Sequence, residues 1–463
     1  MALKPKLPSG KQHRAFKGQA YPNSYQAQYL LRCIGCSRYV YNALLHLMQY
    51  SYHWHQGNQE ALLALKVRPD LQSLYWLMQL QTYKDEYATQ PMTVGPNQSF
   101  LSYIVSCLKS HEDKAWLSEV PRSCLTYSVE ALVKAFQSFY RLVKLKKHIG
   151  PNGLIGFPRY KSRHSKLAVR IQASDIRMCS YGSNAKHHEI RLPHCQGLFL
   201  PPGQIKIKGL RKLQGRLLSV AFTLTQAQDW SVSVLTETDL QVRPTGYGVI
   251  GIDLSAQRSE VGYCQDSSQA FSLSQIEQLP KSISVLESRI QHLQRLLARK
   301  TKGSYRWRTL KLRIAKAHRR LKAVYEGYYH RLTNWLIQTY DSIIIEDLDA
   351  KGMLSKSHSS LAKLVQDSRF SLFRSMLLYK LQQTEKGILG IADRYYPSSQ
   401  ICSSCGAKSS TKLPLHVRSW TCEVCQAQHH RDFNAAHNLY KLKQHLESTP
   451  PDTHLVLLEP YQV

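Results

Sequence analysis

The spacing of apolar side chains predicts a helical first part of the chain, a strand-rich middle and a mixed last part. A short strand is predicted at residues 13–21. From Asn23 to Met48, apolar residues recur every three to four positions, which is the period of an amphipathic helix. Further helices are predicted at about residues 58–66, 99–109 and 123–146. This block also holds many aromatic residues, most of which we expect in its core.

Helix-breaking residues mark the start of the middle part. Pro158 and three glycines interrupt the helical pattern in a basic loop at residues 148–166. Five segments with alternating or β-branched residues follow: LAVRIQA, HEIRLPH, GQIKIKG, LSVAFTLTQ and WSVSVLTE. They predict a small antiparallel barrel or sandwich over about residues 165–240, with a new domain beginning near Gly246.

Strands and helices alternate in the last part. The apolar runs GVIGIDL, SIIIEDL and GILGIADRYY predict buried strands. Two long helices are predicted between the first two runs, at about residues 274–300 and 303–339, with Lys302-Gly303-Ser304 as the turn of an antiparallel hairpin. A helix at about residues 359–385, a closing helix that ends near Lys443 and a loosely ordered tail complete the prediction.

The charge balance favours a polyanionic partner. Lys and Arg number 62 against 31 Asp and Glu, which gives a formal net charge of +31 in 463 residues. Neutralised phosphates release counterions, so a surplus spread along the chain favours a nucleic-acid channel, although ribosomal and membrane-surface proteins are also basic. We interpret the outer faces of the predicted hairpin as phosphate-contacting. They carry Arg289, Arg295, Arg299, Lys300, Arg306, Arg308, Lys311, Arg313, Lys316, Arg319, Arg320 and Lys322.

The amino-acid composition also limits which classes of protein the chain can belong to. Hydrophobic residues make up 43% of the chain, enough to bury real cores. The start of the chain has no apolar signal segment, and the longest apolar runs are too short to span a bilayer. We therefore expect a cytoplasmic protein without a membrane partner, whose eleven cysteines are mostly reduced thiols or metal ligands. The absence of a GxxxxGKS/T loop argues against a nucleotide-driven motor.

Three acidic residues stand where a protein can hold catalytic magnesium. Asp253 and Glu346 each end an apolar strand, and Asp432 lies at the predicted start of a helix. Hydrolysis of a phosphodiester is aided by two Mg²⁺ ions bridged by carboxylates, and Mg²⁺ keeps several waters, so three acids suffice. Each acid alone could equally cap its strand or the next turn. The three in this order predict a metal-dependent site.

Four cysteines between the second and third acids predict a structural zinc site. The pairs Cys402-x-x-Cys405 and Cys422-x-x-Cys425 are separated by sixteen residues, which is typical of a zinc ribbon. Two redox dithiols are the alternative. Four thiolates leave no open position on the metal, so this zinc should fold the loop and take no part in catalysis. By contrast, Cys33-x-x-Cys36 lies in an amphipathic helix and is predicted to face the core.

These motifs resemble a known family. In chain order, GIDL, IIIEDLDAKGM, the C-x-x-C pair and RDFNAAHNL resemble the split RuvC-like nuclease domain of TnpB proteins, the transposon-encoded RNA-guided nucleases related to type V CRISPR effectors. Upstream, YPNSYQAQYLLRCIGCSRYVYNALL, GFPRYKSR and HRLTNWLI are also similar to the family, so the resemblance runs from about residue 13 to residue 443. Ser255 and His430 depart from the glycine and the aspartate that are usual in the family.

The resemblance implies a fold and a domain order. It implies a multi-domain α+β protein, in which a wedge β-barrel is interrupted by a helical recognition lobe and followed by an RNase H-like (RuvC) mixed α/β domain with an inserted zinc ribbon. The implied segments are residues 1–22 (first wedge strand), 23–147 (recognition lobe), 148–245 (wedge barrel), 246–395 (RuvC-like nuclease with the basic hairpin), 396–430 (zinc-binding target-nucleic-acid loop) and 431–463 (final helix and tail).

The resemblance also implies roles for particular residues. Asp253, Glu346 and Asp432 fall on the catalytic triad, with Asp253 and Asp432 as direct metal ligands and Glu346 as a bridging or water-positioning residue. Arg431 and Asn434 are expected to buttress Asp432. The four cysteines fall on the zinc loop. Contacts with nucleic acid are expected at Arg38, Tyr41, Asn42, Arg159, Lys161, Arg163, Arg306, Arg308, Arg319 and Arg320.

The function implied is RNA-guided cleavage of DNA. We expect a monomeric, Mg²⁺-dependent endodeoxyribonuclease that uses two Mg²⁺ ions, one structural Zn²⁺ and a structured guide RNA, and that recognises a short motif beside a double-stranded target. The expected location is the cytoplasm of a prokaryote, at the nucleoid. Three alternatives stay open: a compact type V CRISPR effector, a guide-dependent DNA binder or repressor with weak or no cleavage, and a plain basic zinc-ribbon DNA binder.

Overall fold

The computed structural model describes most of the chain, in two compact units. The described residues are 10–55, 57–80, 97–145, 149–150, 153–154, 156–163, 167–179, 188–195, 202–210, 213–240, 242–255, 260–347, 370–410, 417–448 and 455–458. Lys11–Asp239 form unit 1, and Leu240–Val463 form unit 2. Within these ranges, none of the helices combines the length and the apolar character that a membrane span requires.

The described part of unit 1 begins with a strand and continues with five α-helices. Strand β1 spans Lys11–Tyr21, and helix α1 spans Ser24–His55. Asn23 and Gln26 form a reciprocal cap at the start of α1, because each side chain accepts a hydrogen bond from the backbone N–H of the other (2.8 and 3.0 Å). The remaining helices are α2 (Gln59–Ala64), α3 (Gln72–Leu80), α4 (Gln98–Ser110) and α5 (Arg122–Lys144). All the helices predicted here are confirmed, and α3 is additional.

The apolar faces of these helices share one core with the strands of unit 1. Leu44 and Leu45 of α1 and Phe136 of α5 are fully buried in it. Cys33 and Cys36 are also buried, which confirms the prediction that this pair faces the core. Their burial between packed helices is the usual place of a free cysteine and gives no sign of a metal site.

The strands of unit 1 form one seven-stranded antiparallel sheet in the order β4-β8-β9-β1-β7-β6-β5. β1 lies inside this sheet, paired with β9 from Lys11↔Asp239 to Ala20↔Trp230 and with β7 at its far end. The strands are β4 (Leu167–Gln172), β5 (Arg177–Cys179), β6 (His188–Arg191), β7 (Gln204–Lys208), β8 (Arg216–Leu224) and β9 (Trp230–Asp239). A two-stranded pair, β2 (Ile149–Gly150) and β3 (Gly153–Leu154), precedes them. The five strands predicted for the middle part are confirmed, whereas β5 and the β2–β3 pair were not predicted.

Unit 2 is built on a six-stranded mixed sheet in the order β12-β11-β10-β13-β14-β17. Strands β10, β13 and β14 are parallel, and β11, β12 and β17 run antiparallel to their neighbours. The strands are β10 (Val249–Leu254), β11 (Gly262–Gln265), β12 (Ala270–Ser272), β13 (Ser342–Glu346), β14 (Ile388–Ala392) and β17 (Leu455–Leu458). The prediction of a loosely ordered tail is wrong for the run LVLL, because these residues add an edge strand to β14.

The described residues of unit 2 hold five α-helices: α6 (Leu273–Ile276), α7 (Ser282–Ala298), α8 (Tyr305–Thr339), α9 (Phe370–Leu381) and α10 (Arg431–Ser448). The predicted hairpin of α7 and α8 is confirmed. Gly303 supplies the positive φ (+87°) of its turn, and the Ser304 hydroxyl accepts a hydrogen bond from Trp307 N at the start of α8. The first part of the helix predicted at 359–385 lies outside the described residues.

Side-chain alternation gives the sheet of unit 2 two different faces. One face packs on α8 and α9 through Ile250, Ile252, Ile343, Ile345, Leu389 and Ile391. The other face carries Ile344 and Ala392, which pack with Leu439 of α10. Gly251 also lies on this second face. A Cβ built on Gly251 would lie 2.4 Å from the carbonyl oxygen of Ala436, so only glycine lets α10 lie this close to the sheet.

Candidate active site and zinc-binding loop

The first two predicted acids lie side by side at the carboxyl-terminal ends of two neighbouring strands of the sheet in unit 2. Ile252 of β10 is the register partner of Ile345 of β13, and the strands are parallel, so Asp253 and Glu346 follow next to each other. By alternation, both lie on the face that α10 covers. Glu346 lies close enough to raise the pKa of Asp253 through its charge and through a side-chain hydrogen bond. The strand register therefore brings the first two predicted acids together.

The third acid comes to the same place from α10. Asp432 lies in the first turn of α10 and is 7% exposed. Burial, then the neighbouring Glu346 carboxylate and then Asp432 raise the pKa of Asp253 well above its usual range, against the opposing charge of Arg431. Three carboxyl groups thus meet at the carboxyl-terminal ends of these strands, with Asp432 buried and Asp253 and Glu346 half-buried. Such a set of oxygen ligands fits Mg²⁺, which would offset the mutual repulsion of the three acids.

An arginine that the sequence reasoning missed holds Asp432. Arg418 Nη1 donates to both carboxylate oxygens of Asp432, at 2.9 and 3.1 Å. Arg418 immediately precedes β15 (Ser419–Thr421), which pairs antiparallel with β16 (Gln428–His430). Because Arg431 N donates to Arg418 O (2.7 Å), this short hairpin fixes Arg418 opposite the start of α10. Only the strand register brings the two residues together, so no local sequence signal marks Arg418.

The expectation that Asn434 buttresses Asp432 is wrong. The Asn434 side chain accepts a hydrogen bond from Ser403 N (2.8 Å) and donates to Ile401 O (2.7 Å). Both partners belong to the first cysteine knuckle. Arg431, the other expected buttress, acts on Asp253 through its charge.

Helix α10 is clamped to the first cysteine knuckle by three polar side chains. Besides Asn434, Asn438 Nδ2 donates to Ser398 O and to Ile401 O, both at 2.7 Å. Lys441 Nζ donates to Ser403 O one turn later. Asn434 and Asn438 are each 3% exposed. The helix that places Asp432 at the candidate active site is therefore fastened, on its next turns, to the loop that carries the cysteines.

The four predicted zinc ligands come together as expected for a tetrahedral site. Their sulfur atoms all lie within 4.8 Å of one another. Cys402 Sγ is 3.6 Å from Cys425 Sγ, and Cys405 Sγ is 3.6 Å from Cys422 Sγ. Four Zn–S bonds of about 2.3 Å in a tetrahedron place the sulfur atoms about 3.8 Å apart, so the donor set fits zinc. His429 Nε2 lies 3.0 Å from Cys402 Sγ and can donate a hydrogen bond to that thiolate.

The two departures from the family pattern do not remove any of these groups. Ser255 N donates to Val261 O (2.9 Å), continuing the pairing of β10 with β11 by one bond. The His430 ring lies against Tyr263 and Phe433, with ring centroids 5.5 and 5.2 Å away. Tyr263 is the register partner of Asp253. His430 thus packs with the Tyr263 and Phe433 rings next to the acids.

In unit 1, the basic loop predicted to contact nucleic acid is fixed firmly on α1. Asn42 pairs with the backbone of Lys161, its Oδ1 accepting from Lys161 N (2.8 Å) and its Nδ2 donating to Lys161 O (3.0 Å). The Tyr160 hydroxyl donates to Gln49 Oε1 (2.5 Å) and lies 3.0 Å from His46 Nδ1. The Lys161 ammonium lies 3.8 Å from the Tyr41 ring centroid.

These contacts separate the predicted nucleic-acid residues of unit 1 into two groups. Tyr41 is buried and the Asn42 amide is used by the loop, so both hold the loop in place and neither offers a free surface. Arg159 and Arg163 are exposed, and Arg38 and Lys161 are half-buried. The exposed cations of the loop are thus carried on a scaffold that His46, Gln49 and Asn42 fix.

In unit 2, the cations of the helical hairpin face solvent. All twelve Lys and Arg residues named above for the hairpin are exposed, including the predicted contacts Arg306, Arg308, Arg319 and Arg320. Leu310, Ala317 and Leu321 are buried against α7. Within the described part of the hairpin, Glu287 is half-buried and bonds to the Tyr325 hydroxyl (3.1 Å). The basic face therefore keeps most of its charge for an outside partner.

Three protein-family models match successive segments of the chain. Residues 12–57 match a "Helix-turn-helix domain", residues 231–357 a "Probable transposase" and residues 370–439 a "Cas12f1-like, TNB domain". The second match holds Asp253 and Glu346, and the third holds Asp432 and the four cysteines. Despite the name of the first, residues 24–55 form one continuous helix.

Named relatives span nearly the whole chain. A "Putative RNA-guided DNA endonuclease" of Streptomyces pristinaespiralis is 28% identical over 433 residues, covering 92% of this chain and 88% of the relative. A protein of the same description, InsQ of Escherichia coli K12, is 23% identical and covers 93% and 92%. A "TnpB-like protein" of Acanthamoeba polyphaga mimivirus matches 30% of the chain, at 26% identity, and 27% of its own length. These matches bear out the resemblance to TnpB proteins.

Among solved structures, the chain is similar to that of a Cas12f1–sgRNA–target DNA complex. The match has 12% sequence identity and a TM-score of 0.44, and it covers 94% of this chain and all of the other.

Proposed function

We propose that the protein is an RNA-guided DNA endonuclease that cuts phosphodiester bonds at Asp253, Glu346 and Asp432. The observation behind this proposal is the meeting of three acids from distant segments at the carboxyl-terminal ends of β10 and β13. A carboxylate that merely caps a strand gains nothing from two further carboxylates beside it, because each raises the cost of the others' charge. A site for divalent cations explains why the three are together.

The proposed chemistry divides between the metal and the protein. Two bound Mg²⁺ ions would activate a water molecule and stabilise the leaving oxygen. Asp253 and Asp432 would hold them directly, and Glu346 would bridge them or orient the water. Arg418 fixes both oxygens of Asp432 in one plane. Its remaining N–H groups can donate to a phosphate oxygen, since a guanidinium carries five donors.

Nucleic acid is proposed to contact cations that are exposed or half-buried in each unit. The candidates are Arg38, Arg159, Lys161 and Arg163 of unit 1 and Arg306, Arg308, Arg319 and Arg320 of the hairpin. Guided recognition suits this surface because base pairing reads the sequence, while the protein holds backbones and reads a short flanking motif. The domain order given by the family resemblance, a wedge barrel, a recognition lobe, a RuvC-like domain and a zinc loop, is part of the proposal. So are a monomeric state and a place at the nucleoid.

The guide can be tested by what the protein carries. The protein is purified from cells that hold its native locus, and the RNA that copurifies is sequenced. We expect one structured RNA, and cleavage of a matching plasmid only when this RNA and Mg²⁺ are both present. Removing the RNA with ribonuclease before the target is added should abolish cleavage. Cleavage that continues without RNA, or specific DNA binding without RNA or metal, would contradict the proposal and favour a plain DNA-binding protein.

The source of the RNA separates the remaining alternatives. RNA from a transposon end is expected for the proposed function, and RNA with CRISPR repeats would favour a type V effector. Binding of the target without any cut, at every Mg²⁺ concentration, would favour a guide-dependent repressor.

A further inference from the structure

Two arginines and an exposed tyrosine lie beside the candidate active site, outside the triad. Asp347 follows Glu346 and, by alternation, lies towards the face that α8 and α9 cover. It accepts hydrogen bonds from Arg374 Nη1 of α9 (2.6 Å) and from Arg394 Nη2 beyond β14 (3.0 Å). These two guanidinium groups lower the pKa of Asp347, against the effect of burial. Both arginine side chains stay accessible, at 39% and 46% exposure.

The tyrosine is held on a rigid turn directly after β14. Tyr395 N donates to Asp393 Oδ1 (2.8 Å), and Tyr396 N donates to Asp393 O (3.0 Å). The next ring, Tyr396, packs against the cluster of Ile344, Ala392 and Leu439. Tyr395 itself is 86% exposed. The backbone that carries this ring is therefore held by hydrogen bonds, while the ring itself stays open to solvent.

The strand register places this turn near the acids. Ala392 is the register partner of Glu346 in the parallel pair of β13 and β14. Tyr395 comes three residues later, so its Cα lies at most about 16 Å from that of Glu346. A stacked strand rises about 3.4 Å per nucleotide, so this distance spans about five nucleotides or fewer. One strand of nucleic acid can thus contact the acids and this turn together.

We propose that Arg374, Arg394 and Tyr395 form a subsite for the single DNA strand that is cut. The arginines would contact a phosphate next to the scissile one, and Tyr395 would stack on an unpaired base. Three clustered acids repel a polyanion, so cations fixed at the same sheet edge are needed to bring it close. An exposed aromatic ring offers a stacking surface for any base, which suits a nuclease that reads no sequence at its cutting site. This inference rests on the proposed function.

Crosslinking tests the subsite independently of cleavage. The probe is a twelve-nucleotide single-stranded oligodeoxynucleotide with 5-iododeoxyuridine at one position, irradiated with the full-length protein carrying its copurified RNA and the substitution Asp253→Asn. We expect the crosslinked peptide to hold Tyr395. A crosslinking map that lacks this peptide at every label position would overturn the proposal, and so would stronger crosslinking of the matched oligoribonucleotide.

Substitution gives the second readout. Tyr395→Ala should raise the KM of target cleavage about tenfold or more, whereas Tyr395→Trp should keep it near the wild-type value, since stacking on one aromatic ring is lost only in the first. Arg394→Gln should lower the slope of log K against log salt for oligodeoxynucleotide binding by about one unit. Tyr247→Ala is the matched control. Tyr247 is 90% exposed and lies just before the amino-terminal end of β10, at the opposite end of the strand from Asp253.

The outcomes separate the two claims. If Tyr395→Ala and Tyr247→Ala cut with equal KM while Asp253→Asn is inactive, the subsite is wrong and the proposed nuclease stands. If the wild type does not cut but Tyr395 still crosslinks to the oligodeoxynucleotide, the nuclease proposal fails and the strand-binding subsite stands.

Discussion

The clamp between α10 and the cysteine loop predicts that one buried amide controls zinc retention. The change is Asn438→Asp, which keeps the shape of the side chain and removes its two donors. Asn438 Nδ2 now donates to Ser398 O and Ile401 O at 2.7 Å each, at a site 3% exposed. A carboxylate there would face two carbonyl oxygens. The substitution therefore replaces two hydrogen bonds with repulsion between acceptors.

The magnitude follows from these contacts. Leaving a buried partner of a hydrogen bond unsatisfied costs about 1–3 kcal/mol. Both carbonyl groups keep a hydrogen bond from Asn434 Nδ2 (3.5 Å to Ser398 O and 2.7 Å to Ile401 O), but each loses the bond from Asn438 and faces a carboxylate instead. The knuckle should therefore open about 3 kcal/mol more easily. Because a free-energy change of about 1.4 kcal/mol changes an equilibrium constant tenfold, the population of the open form should rise about 100-fold. The rate at which a chelator removes zinc should rise by about that factor if removal requires opening.

Zinc release to a colorimetric chelator is the assay, with the purified full-length protein. Gln428→Glu is the matched control, since it makes the same amide-to-carboxylate change at an exposed position of the same loop. We expect the control to release zinc at the wild-type rate. We also expect Asn438→Asp to need more Mg²⁺ for half-maximal cleavage, because Asp432 lies on the loosened helix. Equal zinc release from wild type and Asn438→Asp would refute the clamp.

Three further predictions concern other parts of the molecule. Arg418→Gln should slow cleavage more than tenfold while the zinc content stays at one ion, because a neutral amide cannot hold Asp432 by charge-assisted hydrogen bonds; unchanged cleavage would show that Arg418 is dispensable. Burial, and next Arg243, lower the pKa of Lys380 to about 8, so from about pH 8 to 10.5 the unfolded chain binds more protons than the folded one. As the pH rises through that window, the free energy of unfolding of the wild type should increase relative to that of Lys380→Met, by at most about 3 kcal/mol. Denaturant titration at several pH values measures this difference, and a difference that stays constant with pH would contradict the lowered pKa. Replacing Arg306, Arg308, Arg319 and Arg320 with Gln should lower the slope of log K against log salt for RNA binding by up to about 3–4 units; an unchanged slope would place RNA elsewhere.

The acids and cysteines were predictable because short-range patterns mark them. An apolar strand that ends in a carboxylate, as at Asp253 and Glu346, is visible in one line of sequence. Two C-x-x-C pairs at a suitable spacing are equally visible. Parallel pairing of β10 and β13 then brings the first two acids together, and this pairing follows from the helical hairpin that connects the strands. The sequence thus marked the candidate residues, and the parallel pairing in the structure explains why the first two acids meet.

Residues that act through tertiary register were not predictable in this way. Arg418 meets Asp432 only because β15 and β16 pair in one register, and a shift by one residue would turn its side chain away. Asn434 was expected to contact Asp432 because the two are close in sequence. On a helix, however, a two-residue step turns the side chain to another face, and Asn434 points to the cysteine knuckle.

Edge strands and loop anchors were missed for related reasons. The LVLL run at residues 455–458 is too short to distinguish from an apolar patch in a tail, and it becomes a strand only because the edge of β14 is open to it. Tyr41 and Asn42 were expected to contact nucleic acid because their segment resembles the recognition helix of the family. The structure uses them to hold the backbone and side chain of Lys161 instead.

The central claim is that Asp253, Glu346 and Asp432 form one catalytic metal site. The most direct measurement compares Mg²⁺-dependent cleavage and target binding for three RNA-loaded proteins: wild type, Asp253→Asn and Asp341→Asn. Asp341 precedes β13 at the opposite edge of the same sheet, so it is a matched acidic control. We expect all three to bind the target equally, wild type and Asp341→Asn to cut it, and Asp253→Asn to leave it intact. Cleavage by Asp253→Asn at the wild-type rate would contradict the account.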